Sequence, residues 1–224
     1  MPKISRDQVA QMTLQVLRPG EGSRPDVRVI AHEGERLVIK DYSRGNAALR
    51  LLGLFLTSRE QGAYALLDGL PGVPRWRGRL DPFTMVLEYV AGEPAATAPL
   101  AQLTPQFFAG LEALIAAMHA RGVAHGDLKR LDNILITPAG EPVLIDFSAA
   151  FWHGSNPLSA IVFPYLYDDD RRAVYKLKYR RVPALLTPEE EAFLNHMSWT
   201  ERFFRWAREY FRRPVKRLAG AEPE

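Results

Sequence analysis

His125-Gly126-Asp127-Leu128-Lys129-Arg130-Leu131-Asp132-Asn133-Ile134-Leu135-Ile136, followed by Val143-Leu144-Ile145-Asp146-Phe147-Ser148, is the stretch whose reading decides the fold. Ile134–Ile136 and Val143–Ile145 are apolar, β-branched runs joined by Thr137-Pro138-Ala139-Gly140-Glu141-Pro142, the pattern of a hairpin. Asp127 lies in a loop just after a helix, and Asp146 ends the second run. The hairpin therefore holds two carboxylates near one another at strand edges, where a site is built rather than a core packed. Two carboxylates and an amide oxygen suit Mg²⁺, a hard ion usually completed by substrate phosphates. A carboxylate that accepts a proton from an attacking hydroxyl is the other requirement of phosphoryl transfer. A single aspartate in a loop is most often a cap or turn residue; the combination carries the information.

Working outward, the front half of the chain reads as strands. Asp26 to Ala31 and Arg36 to Lys40 flank His32-Glu33-Gly34-Glu35 as a hairpin, and Trp76 to Leu80 and Phe83 to Val90 form two more strands around Asp81-Pro82. Ala47 to Leu67 is helical in pattern despite Gly53 and Gly62. Ser5 and Gln8 form a capping box that opens a short helix, closed by Pro19-Gly20. Ala91-Gly92 begins a Pro- and Ala-rich connector, where a lobe boundary is placed. The back half reads as helices. Thr104-Pro105 starts one that runs to Arg121 and stops at Gly122. The pattern is helical again after Pro164, with capping boxes at Thr187 to Glu190 and Ser198 to Glu201. Strands first and helices later imply an α+β fold in two lobes. The expected division is a helical extension over 1–25, a small strand-rich N-lobe over 26–91 and a reduced helical C-lobe over 92–224.

The 125–136 and 143–148 segments resemble the catalytic and metal-binding loops of the protein-kinase-like superfamily. The style is that of compact, atypical members with His-Gly-Asp in place of His-Arg-Asp: RIO-type kinases, lipopolysaccharide-core (Kdo/heptose) kinases and aminoglycoside-type phosphotransferases. Upstream, Leu37-Val38-Ile39-Lys40 resembles the strand lysine that holds the α/β-phosphates, and Glu60 stands twenty residues on, where that lysine's helical partner belongs. Met85 to Gly92 resembles the interlobe hinge, so the backbone at Glu88 and Val90 would face adenine. The resemblance implies ATP and Mg²⁺ as cofactors, Asp127 as the base or hydroxyl-orienting carboxylate, and Asn133 and Asp146 as metal ligands. It further implies that Lys129 neutralises the transferred phosphoryl group. His125 is expected to pack and hydrogen-bond beside Phe147 without titrating in catalysis.

Four departures from that pattern matter. Asp127 and Asn133 enclose five residues rather than four, so either the loop bulges and Asn133 ligates, or Asp132 takes the position; Asn133, directly before the strand, is preferred. Ser148 replaces a glycine. The Asp26–Lys40 hairpin has only Gly34 and no Gly-x-Gly-x-x-Gly, so side chains rather than backbone amides would cover the phosphates. No Ala-Pro-Glu-like segment follows Asp146, and residues 147–224 are too few for a long activation segment, which weakens the case for a peptide-docking platform.

Composition sets the remaining bounds. The 224 residues are 47% hydrophobic and 25% charged, an ordinary globular balance. Without cysteine there are no disulfides, thiolate metal sites or cysteine nucleophiles. A net charge of +3 is too small to indicate nucleic acid, and none is expected as a partner. MPKISRDQ has no apolar core of a secretion signal, and the uncharged run Pro94 to Leu111 is broken by prolines, so a cytoplasmic protein is expected. From Trp199, the aromatic residues Phe203, Trp206 and Tyr210 recur at helical spacing opposite Arg202, Arg205, Arg208 and Arg212. Such a helix docks its aromatic face on the C-lobe, or lies on an anionic membrane surface at its inner face.

The activity implied is Mg²⁺-dependent transfer of the ATP γ-phosphate to a hydroxyl. The first acceptor is a lipopolysaccharide-core-type sugar or a related small or lipid-linked molecule. The alternatives are a protein Ser/Thr, as in RIO-type kinases, and a catalytically silent scaffold at a membrane. Retention of Lys40, Glu60, Asp127, Asn133 and Asp146 argues against the scaffold.

Overall fold

The computed structural model describes residues 4–22, 24–153 and 159–195. The first half builds one antiparallel sheet of five strands in the order β1-β2-β3-β5-β4. These are β1 (Thr13–Arg18), β2 (Asp26–His32), β3 (Glu35–Asp41), β4 (Trp76–Asp81) and β5 (Thr84–Glu88). Strands β2 and β3 turn tightly through Glu33 and Gly34, both at positive φ (49° and 81°), as a two-residue hairpin requires. A short helix α1 (Arg6–Met12) lies against the sheet, capped by Ser5 and Gln8 as its capping box demands. Helix α2 (Ala47–Leu66), N-capped by Asn46, spans the gap between this sheet and the rest of the chain.

The second half is mainly helical. After β6 (Glu93–Pro94), helix α3 (Pro105–Ala120) starts with the Thr104 hydroxyl accepting from the Phe107 amide at 3.1 Å, with Pro105 at its first position. Its Phe107, Phe108, Leu111, Leu114, Ile115 and Met118 are buried. Fully burying side chains of this kind contributes roughly 1.5–3 kcal/mol each, which fixes the helix as the spine of the C-lobe core. Gly122, at φ 70°, ends it. Short strands β7 (Val123–Ala124), β8 (Ile134–Ile136), β9 (Pro142–Leu144) and β10 (Phe151–Trp152) carry the loops between them. Strand β8 pairs with both β6 and β9, and β7 with β10. Helices α4 (Ser159–Arg181) and α5 (Pro188–Asn195) close the lobe, the latter begun by the Thr187–Glu190 capping box. The result is an α+β fold in two lobes.

Several expectations are corrected. Residues 13–18 were expected inside a helical extension that ran to Pro19, yet the helix ends at Met12 and Thr13–Arg18 is an edge strand of the sheet. Thr-Leu-Gln-Val-Leu-Arg satisfies both periodicities, and pairing with β2 decides the matter. Val90 lies beyond the end of β5. Asp146 does not end a strand, since β9 stops at Leu144. Helix α4 begins before Pro164, which lies inside it rather than ahead of it. The Ser198–Glu201 capping box and the basic helix from Trp199 lie outside the described residues.

Candidate active site

A cleft of about 470 Å³ opens between the sheet and the C-lobe, lined on one side by Val27, Val38, Lys40 and Leu87, and on the other by Asn133, Leu135, Ile145 and Asp146. Glu88, Tyr89 and Val90 form its back edge. The Glu88 side chain is itself a brace, its Oε2 accepting from the Arg75 amide at 3.0 Å.

Lys40 is fixed by strand β3, and Glu60 by the inward face of α2. Both are buried, and the Lys40 Nζ donates to Glu60 Oε1 and Oε2 at 2.7 and 2.9 Å. The same ammonium reaches Asp146 Oδ1 at 2.9 Å, 106 positions away in sequence. Burial opposes the Lys40 charge, but Asp146 and Glu60 outweigh it and hold the ammonium protonated well above its usual range. Asp146 is likewise penalised by burial, yet Lys40 and a hydrogen bond from Ser148 keep its carboxyl well below the usual carboxylate range. Glu60 goes the other way: burial, aided by the Asp146 charge and opposed by Lys40, pushes it up to about 7. The ammonium thus lies between a fully buried carboxylate, Glu60, and a partly exposed one, Asp146, which is held ionised.

Asp146 adopts a left-handed conformation, φ 66°, uncommon outside glycine and tolerated by aspartate. This turns the chain out of β9 and directs the carboxylate at Lys40. Phe147 beside it is fully buried between Tyr64 of α2 (5.2 Å between ring centroids) and His125 (4.7 Å). His125 is buried, with Nε2 on the Ile145 carbonyl at 2.9 Å, matching its expected packing role.

The loop from Asp127 to Asn133 accommodates its additional residue in two consecutive turns, closed by Arg130 N to Asp127 O (3.2 Å) and Asn133 N to Arg130 O (2.9 Å). Asn133 then donates its Nδ2 to the Asp127 carbonyl at 3.1 Å, which leaves its Oδ1 available as an acceptor. Asp132 also lines the cleft but is exposed, whereas Asn133 is buried. Lys129 and Arg130 bring their cations to the Asp127 carboxylate at 3.4 and 3.9 Å.

A carboxylate held ionised and a free amide oxygen across one cleft fit a hard divalent ion. Among the described residues no group of three His, Asp or Glu converges. An ion here would therefore depend on phosphate oxygens to complete its shell, the usual situation for Mg²⁺.

Three features escaped sequence reasoning. Asp170 of α4, almost fully buried, accepts from the His125 and Gly126 amides at 2.8 and 3.0 Å and pairs with His119 Nε2 at 3.0 Å, so it anchors the loop bearing Asp127. Its only sequence signal is the acidic run Asp168-Asp169-Asp170 in a helix, which reads as a solvated face. Arg59 of α2 donates to the Ala150 carbonyl and lies over the Phe151 ring at 4.6 Å, tying α2 to the segment after Asp146. The third is the connection that follows β1. The one glycine of the β2–β3 hairpin, Gly34, lies at the opposite end of those strands from Lys40. The connection that approaches the cleft joins β1 to β2, Pro19-Gly20-Glu21-Gly22, and was invisible while Thr13–Arg18 read as helix.

A sequence profile of the phosphotransferase enzyme family matches residues 15–153. No curated protein matches the chain by sequence. Among solved structures, the Rio2 kinase–ADP/Mg²⁺–phosphoaspartate complex from Chaetomium thermophilum is similar at a TM-score of 0.58 and 21% identity, over 84% of this chain and 63% of that one. Another Rio2 kinase structure from the same organism gives 0.59 and 19%, over 91% and 76%. At these identities the likeness shows the fold, and this chain spans less than two thirds of the first of those proteins.

Proposed function

The chain belongs to the phosphotransferase enzyme family, within the protein-kinase-like superfamily, and we propose that it transfers the γ-phosphate of ATP, with Mg²⁺, to a hydroxyl of a lipopolysaccharide-core-type sugar or a related small or lipid-linked acceptor. The observation that carries the nucleotide reading is the Lys40–Glu60–Asp146 cluster on the wall of the interlobe cleft. Three side chains distant in sequence meet there with the polarity that phosphate binding needs.

In this reading Lys40 holds the α/β-phosphates and Glu60 fixes the direction of the ammonium. Asp146 and Asn133 would hold Mg²⁺, which when bound neutralises charge on the phosphates. Asp127 orients the acceptor hydroxyl and takes its proton as the new P–O bond forms. Lys129, beside that carboxylate, offsets negative charge on the transferred group. Glu88 and Val90 present backbone to adenine. In this reading the lobes divide near Ala91-Gly92, with 26–91 assigned to the N-lobe and 92–224 to the C-lobe.

A small acceptor is favoured because only residues 147–158 separate Asp146 from α4, leaving no length for a peptide-docking segment. The protein Ser/Thr alternative rests on likeness to Rio2 kinase alone. A cytoplasmic position with peripheral contact at an anionic membrane is supported by the arginines from Arg202 to Arg213. The test is γ-phosphate transfer from labelled ATP to a panel of core sugars, lipid-linked glycans and generic protein substrates. Label on the glycans is expected. Label confined to protein would replace the acceptor assignment, and nucleotide binding without transfer to any of them would favour a scaffold.

A further inference from the structure

We infer that the Arg18 guanidinium is a ligand for the phosphate groups of the bound nucleotide, a second cation beside Lys40 in the cleft. This rests on the nucleotide reading of that cleft and adds to it a residue in the position where a glycine-rich loop would supply backbone amides.

The register places it. Arg18 pairs with Val27, and Val27 with Lys40, so the three form a row across β1, β2 and β3. Directly paired residues of antiparallel strands project from the same face. All three line the interlobe cleft together with Asp146 and Asn133.

The two cations differ in what they already hold. Lys40 is committed to two carboxylates. No side chain or carbonyl among the described residues takes the Arg18 guanidinium, and its Nε is buried without a hydrogen-bond partner. A buried donor left unpaired is costly, so such a group in a cleft is poised for an acceptor that arrives with the ligand.

The adjoining loop explains why a side chain is needed. Pro19 has no amide to offer. The Gly20 amide is directed at Asp26 Oδ2 (3.4 Å), and the Glu21 amide at the Arg24 carbonyl (3.3 Å). The Gly20, Glu21 and Arg24 amides are thus turned to partners within the loop and β2. A guanidinium replaces them with a fork of N–H groups that fits phosphate oxygens in pairs.

The experiment is calorimetric titration of the full chain with Mg²⁺-ADP and, separately, adenosine, using wild type, Arg18→Ala and Arg18→Lys, with thermal unfolding as the folding check. Arg18→Ala should weaken ADP binding about tenfold to a hundredfold, the range for hydrogen bonds to charged groups, and leave adenosine unchanged. Arg18→Lys should recover part of the loss, keeping charge without the fork, and so report even if the alanine variant misfolds. A merely structural role would weaken both ligands together. Equal losses for ADP and adenosine would assign Arg18 to the base and overturn the inference. Unchanged ADP affinity in Arg18→Ala, beside a wild type that binds both ligands, would overturn it while leaving the nucleotide reading intact. A wild type that binds neither would remove that reading and the inference with it.

Discussion

Asp170 is the buried carboxylate on which the geometry of the Asp127 loop depends, and its replacement is the most informative single perturbation. It receives three hydrogen bonds, from the amides of His125 and Gly126 and from His119 Nε2, all between 2.8 and 3.0 Å. Asn in its place keeps one oxygen acceptor and turns an NH₂ towards a backbone N–H. At least one charge-assisted bond is lost and one buried donor is stranded. With bonds to charged groups worth about 1.5–3 kcal/mol and an orphaned donor costing about 1–3 kcal/mol, Asp170→Asn should destabilise by about 2–4 kcal/mol. In a chain of this size each kcal/mol moves Tm by about 2–4 °C, so a fall of about 4–16 °C is expected in differential scanning fluorimetry. Turnover should fall more than ADP affinity, because the anchored amides of His125 and Gly126 adjoin Asp127, whereas the cleft-lining Asp132 and Asn133 stand at the far end of the loop. A Tm within about 1 °C of wild type would refute the claim that these amides depend on the carboxylate.

The Glu60 carboxyl, pushed up to about 7 by burial, binds a proton in the folded chain that the unfolded chain, with its ordinary value of 4.5, has released. That contribution is complete below the unfolded value and is lost as pH rises through the folded one, so Tm should decline from pH 5 to pH 8; an equally steep decline in Glu60→Gln would place its origin elsewhere. Gly126 has φ 74°, and a Cβ there would stand 2.9 Å from the Ala149 carbonyl oxygen. Gly126→Ala should therefore destabilise by more than about 1 kcal/mol and lower turnover; urea unfolding with an unchanged midpoint would contradict the clash. Asn133→Ala should raise the Mg²⁺ concentration needed for half-maximal transfer, whereas Asp132→Ala should not; the reverse ranking would move the ligand position by one residue. Asp146→Asn should abolish transfer with the fold retained by circular dichroism, and near-normal turnover at saturating Mg²⁺ would unseat its assignment.

Local pattern and spacing were enough to announce the order of strands and helices, the caps at Ser5, Thr104 and Thr187, and the ordered appearance of Lys40, Glu60, Asp127, Asn133 and Asp146. Each of these is a short-range signal: a capping side chain speaks for its own helix, and a hairpin brings its own flanks together. The identity of Thr13–Arg18 was beyond such signals, because its apolar residues fit two periodicities and only the hydrogen bonds to β2 choose between them. The glycine loop and the place of Arg18 followed from that choice. Asp170 and Arg59 were equally out of reach, since what defines them is a partner across the fold: two amides more than forty positions away, and a carbonyl ninety-one positions away. Sequence alone thus determined which chemistry the chain carries, through residue types in a fixed order. Tertiary structure decided which side chains share a cleft, which carboxylate keeps its charge and which buried donors are left for a ligand, because burial and pairing are properties of the packed chain and not of its neighbours in sequence.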